Sequence, residues 1–454
     1  MLVEGWLTRA ASAHPTRIAL DTPNGSWSYA ELHAAARLGA SELRACGARS
    51  GERVAIALPP GLAFAQALHA CLLLGAVAVP VDLRLAPSER ARIAAGADVL
   101  VDGPLAVPPS PSEGAEVQPE GRGAHDLDAV AAVIHTSGTT SAPRPVELTY
   151  GNFLWSALGS AVALGLDPRE RWLCALPVSH VGGLSILVRS TIYATTAVVH
   201  ERFEVDRVLD ALRERDITLV SLVATTLARL LDAGLSRPTT PSGRGAALRC
   251  ALTGGGPVPE ALLARAHDAG ITVSLTYGLT ETCSQVTTTP LAAPGGGRAT
   301  AGPPLFCTRV QIASDGEILV AGPTVANAAA DSDGWLRTGD LGAFDEQGCL
   351  TVTGRKADTI VSGGENVAPA EVEAVLEAHP DVLEAAVLGR PDERWGEAVT
   401  AIVLARPGRT LDGEALRAYC AGLLAPYKVP KHVALTGEPL PRTPSGKLLR
   451  RELS

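Results

Sequence analysis

The sequence predicts an α/β protein, with a large N-terminal domain of layered α/β subdomains followed by a small α+β C-terminal domain. Three observations predict it. At 454 residues the chain exceeds what one hydrophobic core organises, so two or more domains are expected. Short β-branched runs alternate with longer Ala/Leu-rich stretches over most of the length, which is the pattern of largely parallel sheets covered by helices. Near residue 354 that alternation gives way to a different order of elements.

In chain order, RVAIAL at 53–58 and AVAVPV at 76–81 read as strands, with helix-forming sequence through the sixties. The most apolar stretch, 65–79, is interrupted by Gln66 and His69 and ends at Pro80. It is too short to span a bilayer and reads as a buried helix. Residues 103–124, rich in Pro, Gly, Ser and Glu, predict a surface loop before the apolar run AVAAVIH. TAVVHE (196–201), VDRVLDALRERD (205–216) and ITLVSLV (217–223) repeat the strand–helix–strand order. DGWLRTGDLGAFDEQGCLTVTG is then β-rich, with turns expected at Asp-Gly, Glu-Gln-Gly and Thr-Gly. Beyond it, AEVEAVLEAHPDV is a helix, EAAVLGRP and AVTAIVLA are strands, and EALRAYCAGLL is a second helix. The domains are therefore placed at 1–353 and 354–454.

Composition bounds the function. Hydrophobic residues at 46% against 19% charged suit a packed globular chain and not a disordered one. A net charge of −9 with no long basic run argues against nucleic acid as a partner. The eight cysteines (Cys46, Cys71, Cys174, Cys250, Cys283, Cys307, Cys349, Cys420) contain no C-x-x-C pair and fit neither a zinc site nor a disulfide framework. The N-terminus carries an acidic residue at position 4 and lacks the long apolar core of a secretory signal. A cytoplasmic protein without a membrane span is expected, and a homo-oligomer stays open.

Four motifs carry chemistry. After the run AVAAVIH come Thr136, Ser137, Gly138, Thr139, Thr140 and, four residues on, Arg144. Consecutive hydroxyls and backbone N–H groups after a strand can wrap phosphate oxygens, and the same residues also make an ordinary Ser/Thr-rich turn. No Gly-Lys-Ser/Thr follows, so this is not a Walker loop. The second motif is Tyr277-Gly278-Leu279-Thr280-Glu281-Thr282. A tyrosine ring can stack on a purine, a threonine can reach a phosphate and a carboxylate can hold Mg²⁺; a strand end running into a helix cap fits the residues equally well. Just upstream, Gly254, Gly255 and Gly256 allow close backbone approach to a flat ligand, or form a plain loop.

The third motif pairs Thr338-Gly339-Asp340 with Gly354-Arg355-Lys356. An aspartate at a strand end can accept from two ribose hydroxyls, and an arginine at the domain junction can contact ribose and phosphate. A turn aspartate and a surface basic pair are the commoner case for either alone. The fourth is Pro441-Arg442-Thr443-Pro444-Ser445-Gly446-Lys447, where two prolines and a glycine present a single lysine near the C-terminus. A mobile ammonium can offset charge that appears in a transition state, although an isolated C-terminal lysine is ordinarily just solvated.

Taken in order, TSGTT, YGLTE, TGD, GRKAD, SGGEN and PRTPSGK resemble the adenylate-forming superfamily of acyl-CoA synthetases, peptide-synthetase adenylation domains and luciferases. The resemblance spans nearly the whole chain. It implies an N-terminal AMP-binding domain and a mobile C-terminal lid, an acyl-adenylate intermediate, and the use of ATP, Mg²⁺ and coenzyme A. By the same resemblance Tyr277 borders adenine, Thr280 binds the α-phosphate, Glu281 holds Mg²⁺, Asp340 binds ribose and Arg355 contacts the nucleotide. Lys447 bridges the attacking carboxylate and the α-phosphate. Ser362, Gly363, Gly364 and Glu365 line the thiolation site, and the hinge falls at Ala357, a position often polar in relatives.

The chain departs from the usual phosphate loop at Ser141, Arg144 and Pro145. Arg144 keeps a cation in a different shape, and Pro145 removes a backbone donor. The segment 176–189, LPVSHVGGLSILVR, together with LTYGN, LTGGG and YGLTETCSQ, is similar to the o-succinylbenzoate–CoA ligase branch that serves menaquinone biosynthesis. That implies a substrate with two carboxylates, Arg189 as the cation for the carboxylate that does not react, and His180 beside the acyl pocket. An exposed Arg189 and an ordinary loop His180 are the plain alternative. Another aryl- or fatty-acyl-CoA ligase, or a stand-alone adenylation enzyme loading a carrier protein, fits the motifs less closely.

Overall fold

The computed structural model describes residues 1–107, 123–136, 144–236, 248–291, 300–442 and 448–453. Ser137, Gly138, Thr139, Thr140 and Lys447 lie outside the described residues.

An eight-stranded sheet runs in the order Thr287–Thr288, Val273–Tyr277, Cys250–Thr253, Leu219–Leu222, Arg171–Cys174, Thr196–Val199, Ile18–Thr22 and Gly25–Ser28. Its inner strands are parallel and only the two edges are antiparallel. The inner strands Leu219–Leu222 and Cys250–Thr253 are buried throughout, as parallel strands covered on both faces must be. A second sheet follows the order Val99–Val101, Arg53–Ile56, Val77–Pro80, Val130–Thr136 and Arg144–Thr149, again parallel except at its last pairing.

Helices fill the space between these sheets. Tyr29–Ala45 opens on a capping box in which Ser28 Oγ accepts from the Glu31 amide while the Glu31 carboxylate accepts from the Ser28 amide. Leu62–Leu74 is apolar on every side and buried from Phe64 to Leu74. The amide nitrogen of its Gln66 donates to the Ala35 and Ala106 carbonyls at 3.0 and 2.6 Å, while Oε1 has no partner among the described residues. The apolar stretch 65–79 is thus not one helix but a helix ending at Leu74 and, as the strand reading of 76–81 expects, a strand from Val77, separated at Gly75.

An antiparallel four-stranded sheet comes next: Arg309–Ile312, Glu317–Ala321, Leu336–Phe344 and Leu350–Arg355. Of the three turns expected there, Asp345–Cys349 and Asp331–Trp335 close by backbone hydrogen bonds. Thr353-Gly354 does not turn: Gly354 pairs with Leu341 inside the last strand, because the ladder continues to Asp340 opposite Arg355. The final sheet is built on Gly396–Ala405, flanked by Val382–Asp392, Ile360–Ser362 and His432–Thr436, with Glu365–Val367 beyond. Helices Pro369–Glu377 and Gly413–Ala421 cover it over a core of Val372, Leu376, Val387, Val403 and Leu416. Among the described residues no helix is long and apolar enough to cross a membrane.

Candidate active site

Strands Cys250–Thr253 and Val273–Tyr277 are parallel neighbours, and the segments that leave their carboxyl ends carry the glycine triplet and the Tyr277–Thr282 motif. Loops at that end of a parallel sheet are the usual position for a ligand. Two close approaches hold them. A Cβ on Gly254 would lie 2.7 Å from the Thr276 carbonyl, and one on Gly278 would lie 1.5 Å from the Ser284 carbonyl. Thr280–Thr282 forms one 3₁₀ turn and not the start of a longer helix. Thr282 caps it from within, with its Oγ1 accepting from the Leu279 amide at 2.9 Å. The turn leaves Thr280 and Glu281 half-buried, and among the described residues no side chain pairs with the Glu281 carboxylate.

Tyr277 packs on the core of the antiparallel sheet, beside Ile318, Val320 and Leu336. Its phenol donates to Asp340 Oδ2 at 2.8 Å, and Arg355 Nε lies 3.0 Å from Asp340 Oδ1. Asp340 and Arg355 are cross-strand partners, so the ladder itself sets this pairing. Burial, and then the neighbouring Asp340 carboxylate, push the Tyr277 hydroxyl well above its ordinary pKa, so it stays a donor. Each oxygen of Asp340 keeps a lone pair free to accept from a hydroxyl of a diol. The turn before it is fixed by Glu317, whose Oε1 accepts from the Gly339 amide at 3.1 Å.

Thr136 and Arg144 are opposed in an antiparallel pair, and the Thr136 hydroxyl donates to the Arg144 carbonyl at 3.3 Å. They form the two ends of the phosphate-loop candidate. His180 caps the helix Val181–Tyr193. Its Nε2 lies 3.0 Å from Arg84 and 3.5 Å from Asp82, which follow the strand Val77–Pro80. Burial works against ionisation of Asp82, but the Arg84 fork, at 2.8 and 2.6 Å, holds its pKa below the ordinary value.

Arg189 is on the same helix as His180 and is 3% exposed. Its guanidinium lies 5.1 Å from the Trp172 ring centre and 3.4 Å from Ser156 Oγ, while Nε has no partner among the described residues. Ser156 in turn donates to the Cys283 carbonyl at 2.6 Å, directly after the 3₁₀ turn. Burial lowers the arginine's pKa. Cys283 is itself buried, with its thiol pushed up to about 12 by burial.

Ser362, Gly363, Gly364 and Glu365 form a hairpin tip, with Gly363 and Gly364 at φ of 62° and 84° as a two-residue turn of this hand requires. The tip belongs to the last sheet and, among the described residues, makes no hydrogen bond or ion pair with Asp340 or Glu281. Trp395 lies against it: a Cβ on Gly363 would meet the indole at 3.0 Å. The indole is flanked by Arg394 and Lys431, at 4.9 and 4.8 Å from the ring centre. Sequence reading missed Asp82, Arg84, Glu317 and Trp395, since none belongs to a motif.

Residues 7–328 match the AMP-binding enzyme family, and residues 371–447 match the AMP-binding enzyme C-terminal domain. The chain belongs to the AMP-binding enzyme family. A 2-succinylbenzoate–CoA ligase of Bacillus subtilis (strain 168) is 39% identical over 489 residues, covering 100% of this chain and 98% of that protein. The o-succinylbenzoate CoA synthetase structure from Bacillus subtilis in complex with its acyl-adenylate intermediate is 36% identical, covers 100% of this chain and 98% of that one, and has a TM-score of 0.89. A double mutant of the Bacillus subtilis synthetase, bound to its product analogue OSB-NCoA, is 38% identical at 100% and 99% coverage, with a TM-score of 0.72.

Proposed function

We infer that the chain is an ATP-dependent acid–thiol ligase that converts 2-succinylbenzoate to its CoA thioester through an acyl-adenylate. The observation that carries this reading is the end-to-end likeness to 2-succinylbenzoate–CoA ligases, with the Tyr277–Asp340–Arg355 cluster and the Thr280–Glu281 turn intact.

A carboxylate is a poor electrophile, so its oxygen first displaces pyrophosphate at the α-phosphorus of ATP. The thiol of coenzyme A then attacks the acyl carbon, and AMP leaves. The first step brings anions together, so the protein's task is positioning and charge stabilisation. Asp340 accepts from the ribose hydroxyls, Tyr277 walls the adenine, and the glycine run from Gly254 to Gly256 gives the base close access to backbone. Thr280 donates to the α-phosphate and Lys447 supplies the cation between carboxylate and phosphate. A lone half-buried carboxylate such as Glu281 suits Mg²⁺, which takes few protein ligands and fills its shell with phosphate oxygens and water. Bound there, the ion neutralises charge on the phosphates.

The second carboxylate of the substrate needs a cation, and Arg189 is our candidate. A buried guanidinium with an unpartnered Nε and no carboxylate among its described neighbours is costly until an anion reaches it. His180, held by Asp82 and Arg84, borders the acyl group. Residues 354–454 act as a lid turning at Ala357, a reading supported by the family likeness of residues 371–447 to the AMP-binding enzyme C-terminal domain. The hairpin Ser362–Glu365 then reaches the thiol, and Trp395 with Arg394 and Lys431 offers a stacking face and positive charge to the nucleotide end of coenzyme A.

The test is incubation with ATP, Mg²⁺, coenzyme A and a panel of acids, with AMP and thioesters detected by mass. Thioester from 2-succinylbenzoate in preference to the other acids is expected. Strong turnover of another acid with none from 2-succinylbenzoate would overturn the assignment.

A further inference from the structure

The main chain between the nucleotide cluster and the lysine-bearing segment is clamped on both sides of a single residue. On the near side Arg355 is paired with Asp340 at 3.0 Å. Lys356 Nζ donates to Asp315 at 2.7 Å and to Glu317 at 3.3 Å. Glu317 is buried and also takes Arg337 at 2.7 Å besides the Gly339 amide. Ala357 offers nothing to hold. On the far side Asp358 accepts from Arg450 NH1 at 3.0 Å.

Arg450 is the centre of the far clamp. Its NH2 donates to both oxygens of Glu373 at 2.7 Å, and its Nε donates to the Val387 carbonyl at 3.2 Å. Three elements therefore converge on one guanidinium: the residue after the pivot, the helix Pro369–Glu377 and the strand Val382–Asp392. Arg450 also stands next to the described residues that flank 443–447 in the sequence. Arg442 and Leu448 form an antiparallel bridge, and the Leu449 amide donates to the Pro441 carbonyl at 2.8 Å. Arg442 is tied to Glu384 at 3.1 Å. An exposed ion pair contributes little, but a partly buried fork with four donor–acceptor contacts fixes geometry.

We propose that Arg450 is a positioning residue for the adenylation half-reaction: three residues after Lys447 in the sequence, it ties the chain to Asp358 beside the pivot and to Glu373, and this tie governs delivery of the lysine. This rests on the reading above that Lys447 serves the first step. The thiolation step uses no lysine, so the two half-reactions separate a positioning role from loss of fold.

The experiment measures ATP–pyrophosphate exchange with 2-succinylbenzoate, and separately thioester formation from supplied acyl-adenylate and coenzyme A. For Arg450→Ala we expect exchange to fall by about 10- to 100-fold in kcat, with KM for ATP and thioester formation both within about twofold of the parent. Arg450→Lys should recover part of the loss. An equal fall in both half-reactions, or no fall in exchange, overturns the proposal. If Arg450→Ala does not fold, Asp358→Ala removes one contact and must show the same one-sided loss in smaller measure; unchanged exchange there also overturns it. Lys447→Ala is the control: if it exchanges normally, the reading of Lys447 has failed, whereas loss with Lys447→Ala but not with Arg450→Ala refutes this proposal alone.

Discussion

The phenol of Tyr277 donates a 2.8 Å hydrogen bond to Asp340 Oδ2, joining the last inner strand of the parallel sheet to the antiparallel sheet through one buried carboxylate. With Arg355 on the other oxygen, the Asp340 carboxylate is held from both sides. Tyr277→Phe keeps the ring and removes one of the two donors. A hydrogen bond to a charged group is worth roughly 1.5–3 kcal/mol, so KM for ATP should rise about tenfold while kcat changes less. Steady-state kinetics with varied ATP check this.

Glu281, beside Thr280, has no cationic partner among the described residues. Glu281→Gln should shift the Mg²⁺ dependence of adenylation to higher concentration, with partial recovery at saturating Mg²⁺. Removal of the ion from the parent by a chelator should abolish pyrophosphate exchange. A Mg²⁺ titration of both proteins decides it, and identical curves would remove Glu281 from the metal site.

Gly278 has no room for a side chain, since a Cβ would sit 1.5 Å from the Ser284 backbone carbonyl. Gly278→Ala must displace the backbone under the 3₁₀ turn. A loss of at least about 3 kcal/mol, or no folded protein, is expected from so severe a clash. Thermal unfolding of the variant measures it.

Arg189→Met preserves bulk and removes the buried cation. If the guanidinium meets the second carboxylate, kcat/KM for 2-succinylbenzoate should fall by about 100-fold, the scale of an unpaired buried charge. An analogue lacking the carboxylate that does not react should be affected far less. Equal efficiency on 2-succinylbenzoate would make Arg189 a core residue satisfied by Trp172 and Ser156.

Burial, and then the neighbouring Glu373, raise the Glu377 carboxyl from its ordinary 4.5 to about 7. The folded chain therefore holds a proton that the unfolded chain releases above 4.5. Stability from this group is present at low pH, declines between 4.5 and about 7, and is lost above that. Glu377→Gln should leave the urea midpoint at pH 4 nearly unchanged and raise it at pH 8. A midpoint difference that does not grow with pH would refute the linkage.

Local chemistry was legible in the sequence where a motif supplied both the residue type and its place at a strand end. Tyr277, Asp340 and Arg355 were read separately as nucleotide contacts. That they touch was not readable, because 63 residues separate Tyr277 from Asp340 and only the packing of two sheets brings them together. Strands such as Leu219–Leu222 announce themselves within a short apolar run rich in β-branched residues, ITLVSLV at 217–223. The run from Phe64 to Val79 does not, since an apolar stretch buried on all sides carries no period to divide helix from strand. Arg84 beside His180, and Arg450 beside Asp358, are isolated charges in sequence and acquire meaning only through partners 96 and 92 residues away.

Cys283 follows directly on the turn that presents Thr280 and Glu281, and an acyl-adenylate is an electrophile that any nearby thiolate can capture. Burial keeps this thiol protonated, with a pKa of about 12, and its carbonyl is bound by Ser156. Cys71, Cys174 and Cys250 are buried and raised to about 12 in the same way. The enzyme thus prepares an intermediate for attack by sulfur while keeping these four thiols unreactive, and the acyl group is reserved for the thiol that arrives from solution.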